Sequence, residues 1–119
     1  MSDCLFCKII AREIPASIVY EDDRVLAFND INPQGPTHVL VVPKAHHATA
    51  AALAAADPPL LGEVVTAAHA VAAQEGLVSG DADEPGYRMV TNTGPDAGQS
   101  VFHVHLHVLG GRGLGWPPG

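Results

Sequence analysis

The sequence predicts an α+β domain built on a five-stranded, mostly antiparallel sheet, with an N-terminal helix and a longer central helix. Three observations carry this expectation. Five short stretches have strand patterning and are joined by short connections. Two or three stretches have helical spacing or capping signals, one at the N-terminus and the others in the alanine-rich middle. Near the C-terminus, His103-Val104-His105-Leu106-His107-Val108 alternates strictly between imidazole and aliphatic side chains, which is the pattern of a half-buried strand.

Taken in order, Ser2 and Asp3 can cap a short helix over residues 4–12, whose apolar positions Leu5, Phe6, Ile9 and Ile10 recur at helical spacing. Pro15 is expected to end it. Ile18-Val19-Tyr20 and Val25-Leu26-Ala27-Phe28 flank an acidic turn and read as a hairpin. Residues 30–36 form a loop of Pro, Asn and Gly. Val39-Leu40-Val41-Val42 is a continuous apolar run, consistent with a central strand that Pro43 closes. Thr49 caps a short helix over 50–56. Asp57 and Pro58 start a second, which runs to about Glu75 with Gly76 as its stop. Its expected core stripe is Leu61, Val64, Val65, Ala68 and Ala72, and its His69 reads as structural or exposed. The acidic loop 79–86 suggests no function. Residues 87–92 alternate as a strand, 93–98 form a turn, and Gly110-Gly111 stops the histidine strand before an irregular Gly/Pro tail.

Bulk properties narrow the function. A length of 119 residues fits one domain spanning 1–119, and no repeat or linker interrupts it. No apolar run approaches the roughly 18 residues of a membrane span. Met-Ser-Asp-Cys is not the start of a secretory signal, so a cytoplasmic location is expected. A net charge of −7 with only six Lys plus Arg argues against binding a nucleic-acid backbone. A small phosphate ligand would therefore be held by backbone N–H groups, hydroxyls and imidazoles. The two cysteines, Cys4 and Cys7, form a lone C-x-x-C with three readings: metal ligands, a redox pair, or two unremarkable thiols. A thioredoxin-like site would follow a strand, and only three residues precede this pair.

One histidine is most often a satisfied structural residue. Three on one strand face, opposite a Val/Leu stripe, call for chemistry. Two kinds suit them: metal ligation, or nucleophilic catalysis by a neutral imidazole whose tautomer its neighbours fix.

The motif His103-Val-His105-Leu-His107-Val-Leu resembles the signature of the histidine-triad (HIT) superfamily, and most closely its Hint branch of purine nucleoside phosphoramidases. Phe28-Asn29-Asp30-Ile31-Asn32-Pro33-Gln34-Gly35-Pro36-Thr37-His38, then Val42-Pro43-Lys44, Asn92, Gly98-Gln99-Ser100-Val101 and Trp116-Pro117-Pro118-Gly119 follow in that branch's order and spacing. The resemblance covers nearly the whole chain. It implies the HIT fold and, usually, a homodimer that joins two sheets. It also implies attack on an α-phosphate carrying an amine, with a purine nucleotide such as AMP or GMP as substrate or product.

The resemblance assigns roles residue by residue. His105 is the nucleophile, forming a nucleotidyl-histidine intermediate that water then hydrolyses. His107 contacts the phosphate, and His38 lies behind in the proton or orientation network. Ser100 with the Gly98-Gln99 backbone forms an anion-binding turn, and Asn92 holds phosphate or ribose. Asp30 takes the ribose hydroxyls, and Phe6, Phe28 and Ile31 form the base pocket. Trp116 reaches towards the partner's site and the leaving group, although Gly113-Leu114-Gly115 precedes it where bulkier residues are usual. Some bacterial relatives bind a structural zinc, and the matching positions here are Cys4, Cys7, His46 and His103, with His47 a rival to His46. Four such ligands make a closed tetrahedral site, structural and not catalytic. Three other functions remain open at this point: a dinucleoside polyphosphate hydrolase of the Fhit-like branch, a metallohydrolase using the triplet as ligands, and a nucleotide-binding adaptor without turnover.

Overall fold

A computed structural model describes residues 3–81 and 83–119. The elements are α1 (Leu5–Ile10), β1 (Ile18–Glu21), β2 (Val25–Asn29), β3 (Thr37–Pro43), α2 (Ala50–Ala56), α3 (Pro58–Gln74), β4 (Tyr87–Val90) and β5 (Leu106–Gly110), with a 3₁₀ turn at Pro95–Ala97 before β5. The strands form one sheet in the order β1-β2-β3-β5-β4, and every neighbouring pair is antiparallel. The apolar run in β3 thus belongs to the middle strand. No helix among the described residues is long and apolar enough to cross a membrane.

Both faces of β2 and β3 are buried, which explains why these strands are apolar throughout. Val25, Ala27, Val39 and Val41 pack with Val108 under α3. Leu26, Phe28, Leu40 and Val42 face the other way, against Phe6 and Ile9 of α1. Helix α3 spans 17 residues and covers most of its face, whereas α1 has six and covers only part of the other. The uncovered remainder, beside β5, is where the histidines lie.

Several boundaries differ from the sequence reading. Cys4, not Asp3, caps α1, its sulfur accepting from the Cys7 amide; Ser2 lies outside the described residues. The helix ends at Ile10, well before Pro15, because Arg12 turns into the left-handed region at φ +64°. The caps at Thr49 and Asp57 are as expected, each accepting from an amide three residues on. The buried stripe of α3 is Leu60, Val64, Ala67, Ala68, Val71 and Ala72, so the expected Leu61 and Val65 are only half-buried. Alanines 67, 68 and 72, interleaved with Leu60, Val64 and Val71, let the helix lie close to the sheet.

The largest correction concerns the histidine strand. β5 begins at Leu106, and its ladder with β3 ends at the Val41↔Leu106 pair. Beyond it the partner strand reaches Pro43, which has no N–H to donate. The chain peels off there: the Val104 amide donates to the His47 carbonyl at 2.7 Å, and the Thr91 hydroxyl donates to the His105 carbonyl at 3.0 Å. His103 and His105 therefore sit on an irregular segment and only His107 on a strand. β4 is also shorter than expected, leaving Asn92 in the loop that follows it.

Candidate active site

Four histidines converge on the α1 side of the sheet. β3 presents His38 and β5 presents His107, while the segment before β5 presents His103 and His105. His103, His105 and His38 are almost fully buried, so the triplet is not a solvated face. The His105 and His107 rings lie 5.0 Å apart, and the Phe6 ring meets His105 edge-on at 5.0 Å.

Backbone groups fix which nitrogen of each ring carries the proton. A carbonyl can only accept, so His105 Nδ1, 2.9 Å from the His103 carbonyl, bears a hydrogen. That leaves its Nε2 with a lone pair. His103 Nε2 donates in the same way to the Pro43 carbonyl at 2.8 Å, which leaves Nδ1 unprotonated. For His38 the logic runs the other way. The Gln34 amide donates to His38 Nδ1 at 3.0 Å, so the proton of the neutral ring is on Nε2. That Nε2–H donates to His107 Nδ1 at 2.8 Å, which places the His107 proton on Nε2.

Burial, reinforced by the neighbouring imidazoles of His105 and His38, pushes His107 down to about 4, while Asp30 opposes this. Burial also lowers His38, again with Asp30 opposing. These rings are neutral at pH 7, as the hydrogen-bond chain requires. Asp30, His38 and His107 hold their ligand-type atoms within 4.8 Å of one another. They are not arranged as a metal site, because His38 Nε2 would have to lose its hydrogen while the Gln34 amide occupies Nδ1.

A cavity of about 300 Å³ opens beside His105 and His107. Of the expected site residues, Phe6, Phe28, Ile31, Asp30 and Ser100 also line it. Ile31 is almost fully exposed, so it offers an apolar flank that a flat base could cover. His38 lies behind His107. Asn92, Gly98, Gln99 and Trp116 are not among the cavity's walls. Trp116 is 82% exposed on the C-terminal tail. The Gln99 side chain is turned inward, donating to the Ala48 and Val101 carbonyls and accepting from the Gly94 amide. It braces the turn that presents Ser100. Sequence reasoning missed Leu5, Ile9 and Ile14 as walls. The helical spacing of Leu5 and Ile9 was the available signal, but it reads equally well as core.

Beside this cavity the sulfurs of Cys4 and Cys7 meet His46 and His103. The ligand atoms of all four lie within 4.8 Å of one another. His103 Nδ1 is 3.4 Å from Cys4 Sγ, 3.5 Å from Cys7 Sγ and 3.2 Å from His46 Nδ1. About 2.3 Å to sulfur and 2.0 Å to nitrogen from a common centre requires such edge lengths, so the set fits tetrahedral zinc. The donor chemistry agrees, since His103 presents the nitrogen that the Pro43 carbonyl leaves unprotonated. His46 is the member of the set, and His47 instead supplies its carbonyl to Val104.

Comparison with known proteins decides the family. A HIT domain profile matches residues 11–114. The chain belongs to the histidine-triad (HIT) family. Its relatives place this HIT protein in the Hint-type branch. Adenylylsulfatase HINT1 from Arabidopsis thaliana is 46% identical to it, over 99% of this chain and 78% of that one. A 14 kDa zinc-binding protein from Zea mays is 49% identical, over 99% of this chain and 89% of that one. A HIT family hydrolase from Legionella pneumophila superposes with a TM-score of 0.90 at 50% identity, covering 98% of this chain and 100% of the other.

Proposed function

We propose that this HIT protein is a nucleotide hydrolase that cleaves purine nucleoside 5′-phosphoramidates to a nucleoside monophosphate and an amine through a nucleotidyl-histidine. The observation that carries this reading is the His105 ring. Its Nδ1–H is held by the His103 carbonyl, so its lone pair is on Nε2, and the ring lines a cavity with an apolar end and a carboxylate. In the first step the Nε2 lone pair bonds to phosphorus, and the P–N bond breaks with its electron pair and a proton going to the amine. In the second, water adds its oxygen to phosphorus, the His105–P bond returns its pair to Nε2, and one proton is released. His107 Nε2–H and the Ser100 hydroxyl supply hydrogen bonds to phosphate oxygens, and the aromatic rings of Phe6 and Phe28, packed edge to face, supply the base pocket.

Cys4, Cys7, His46 and His103 would hold a zinc ion with all four positions filled, which gives the metal a structural task. It ties the start of α1 to the residue whose carbonyl orients the nucleophile. The β4 edge of the sheet and the exposed Trp116 suit a homodimer in which the tail approaches the partner's cavity.

A second reading keeps the same attack and changes the leaving group. The Arabidopsis relative's name implies a sulfate leaving group on the adenylyl phosphate. The test is hydrolysis of an adenosine 5′-phosphoramidate of an aromatic amine by wild type and His105→Ala, each with and without a strong chelator. Turnover should survive brief chelation and vanish in the variant. Activity that chelation abolishes and zinc restores, in protein that stays folded, would mean metal-dependent hydrolysis. Nucleotide binding without turnover would mean an adaptor.

A further inference from the structure

We propose that Asp30 is the counter-ion of the His38–His107 pair, allowing that pair to carry the proton a basic leaving group takes away. The substrate chemistry rests on the phosphoramidate reading above; the geometry stands without it.

The carboxylate is pinned. It follows β2 directly, and its Oδ1 accepts from the Asn32 amide at 2.8 Å. Its Oδ2 lies 3.4 Å from His38 Nε2, and a carboxylate oxygen of Asp30 lies within 4.8 Å of the ring nitrogen of His107. Few other charges face the pair. His105 approaches His107 from the segment before β5. Arg88 on β4 donates to the Gly115 carbonyl, and Arg112 donates to the carbonyls of Gln34 and Gly113. Helix α1 meets this face with Phe6 and Ile9, while β2 and β3 bring Phe28 and Leu40. Asp30 is the one anion in reach among the described residues.

Proton counting shows why an anion is needed. In the neutral pair, His107 Nε2–H points outward and His38 Nε2–H fills His107 Nδ1. If His107 gave up its outer proton and was refilled from His38, His38 would be left an imidazolate. Its Nδ1 receives only a hydrogen bond from the Gln34 amide, not a proton. The pair can therefore donate only from a state that carries one extra proton. Placing that proton on His107 Nδ1 sets two N–H groups against each other across 2.8 Å. Asp30 Oδ2 is positioned to accept one of them and to balance the charge. Burial works against the cation on both rings and Asp30 works for it, and the incoming anionic phosphate adds to the same side. On this basis Asp30 is a positioning residue for proton delivery, in addition to the sugar contact that the family resemblance implies.

Asp30→Asn tests this, because the amide oxygen can still accept from Asn32 while the charge is lost. Two substrates share the adenosine half and differ in what leaves. An alkylamine phosphoramidate releases a group that must be protonated, whereas adenylyl sulfate releases sulfate, which needs no proton. Asp30→Asn should lower activity on both substrates through the shared sugar contact, but lower kcat on the amine substrate about tenfold more than on the sulfate, corresponding to roughly one pK unit of lost proton affinity. Equal losses on both, or a change confined to KM, would overturn the proposal, since sugar binding alone treats both substrates alike. In parallel, imidazole ¹⁵N titration without nucleotide should show the His38 and His107 protonation midpoints moving about one pH unit lower in the variant. Unchanged midpoints would also overturn it. That titration uses no substrate, so a wild type inactive on both compounds would refute the phosphoramidate reading while the counter-ion was still judged by its spectrum.

Discussion

Four histidines do different work here, and what separates them is one hydrogen-bond partner apiece: a backbone group for three of them and the His38 ring for His107. His105 and His103 each give a proton to a carbonyl, and His38 takes a hydrogen bond from an amide. Gln99 shows the same economy with a neutral side chain. It is buried and meets three backbone groups: the Gly94 amide and the carbonyls of Ala48 and Val101. Gln99→Leu keeps the volume and strands those groups. It should lower the unfolding free energy by about 2–3 kcal/mol in urea denaturation, and lower kcat as the Ser100 turn loosens. From the sequence, Gln99 was legible only as part of an anion-binding turn by its backbone. Nothing local says that its side chain points inward, because the groups it satisfies include one 51 residues away.

At the scale of elements, α1 is the exposed weakness of the site. Six residues make too short a helix to hold itself in water, yet it supplies Phe6 to the cavity. Cys4 at its cap and Cys7 one turn on tie it to His46 and His103. Replacing both cysteines by alanine should lower the melting temperature and raise KM for the nucleotide several-fold. The effect on kcat should be smaller, since His103 keeps its bond to the Pro43 carbonyl. Chelation should move the wild type towards the double variant and leave the double variant unchanged, as read by thermal melts with and without chelator. Elements with local signals were legible: the Thr49 and Asp57 caps, the hairpin of β1 and β2, and the apolar middle strand β3. The start of β5 was not. The histidine alternation is perfect strand pattern, but the ladder needs a partner N–H, and Pro43, about sixty residues earlier, withholds it. The facing of the histidines survives the loss of strand geometry because Val104 and Val108 still pack under α3.

Across the whole molecule, one sheet keeps two cores apart. The α3 side is aliphatic, whereas the α1 side buries imidazoles next to phenyl rings, and this makes stability depend on pH. His107 lies at about 4 in the folded chain against 6.5 for an ordinary histidine, and burial lowers His38 as well. On acidification the unfolded chain therefore takes up protons first. The stability these neutral rings provide is complete above about 6.5 and drains away as the pH falls towards 4. For His107 the gap between 6.5 and about 4 corresponds to on the order of 3 kcal/mol when fully expressed. His107→Asn can keep an acceptor for the His38 Nε2–H and has no group that titrates in this range. Urea midpoints at pH 7 and pH 4.5 should therefore fall further in wild type than in His107→Asn, with the variant the less stable of the two only at the higher pH. Parallel losses in both proteins would mean that His107 is already protonated within the folded site, and the neutral hydrogen-bond chain from Gln34 through His38 to His107 would then have to be redrawn.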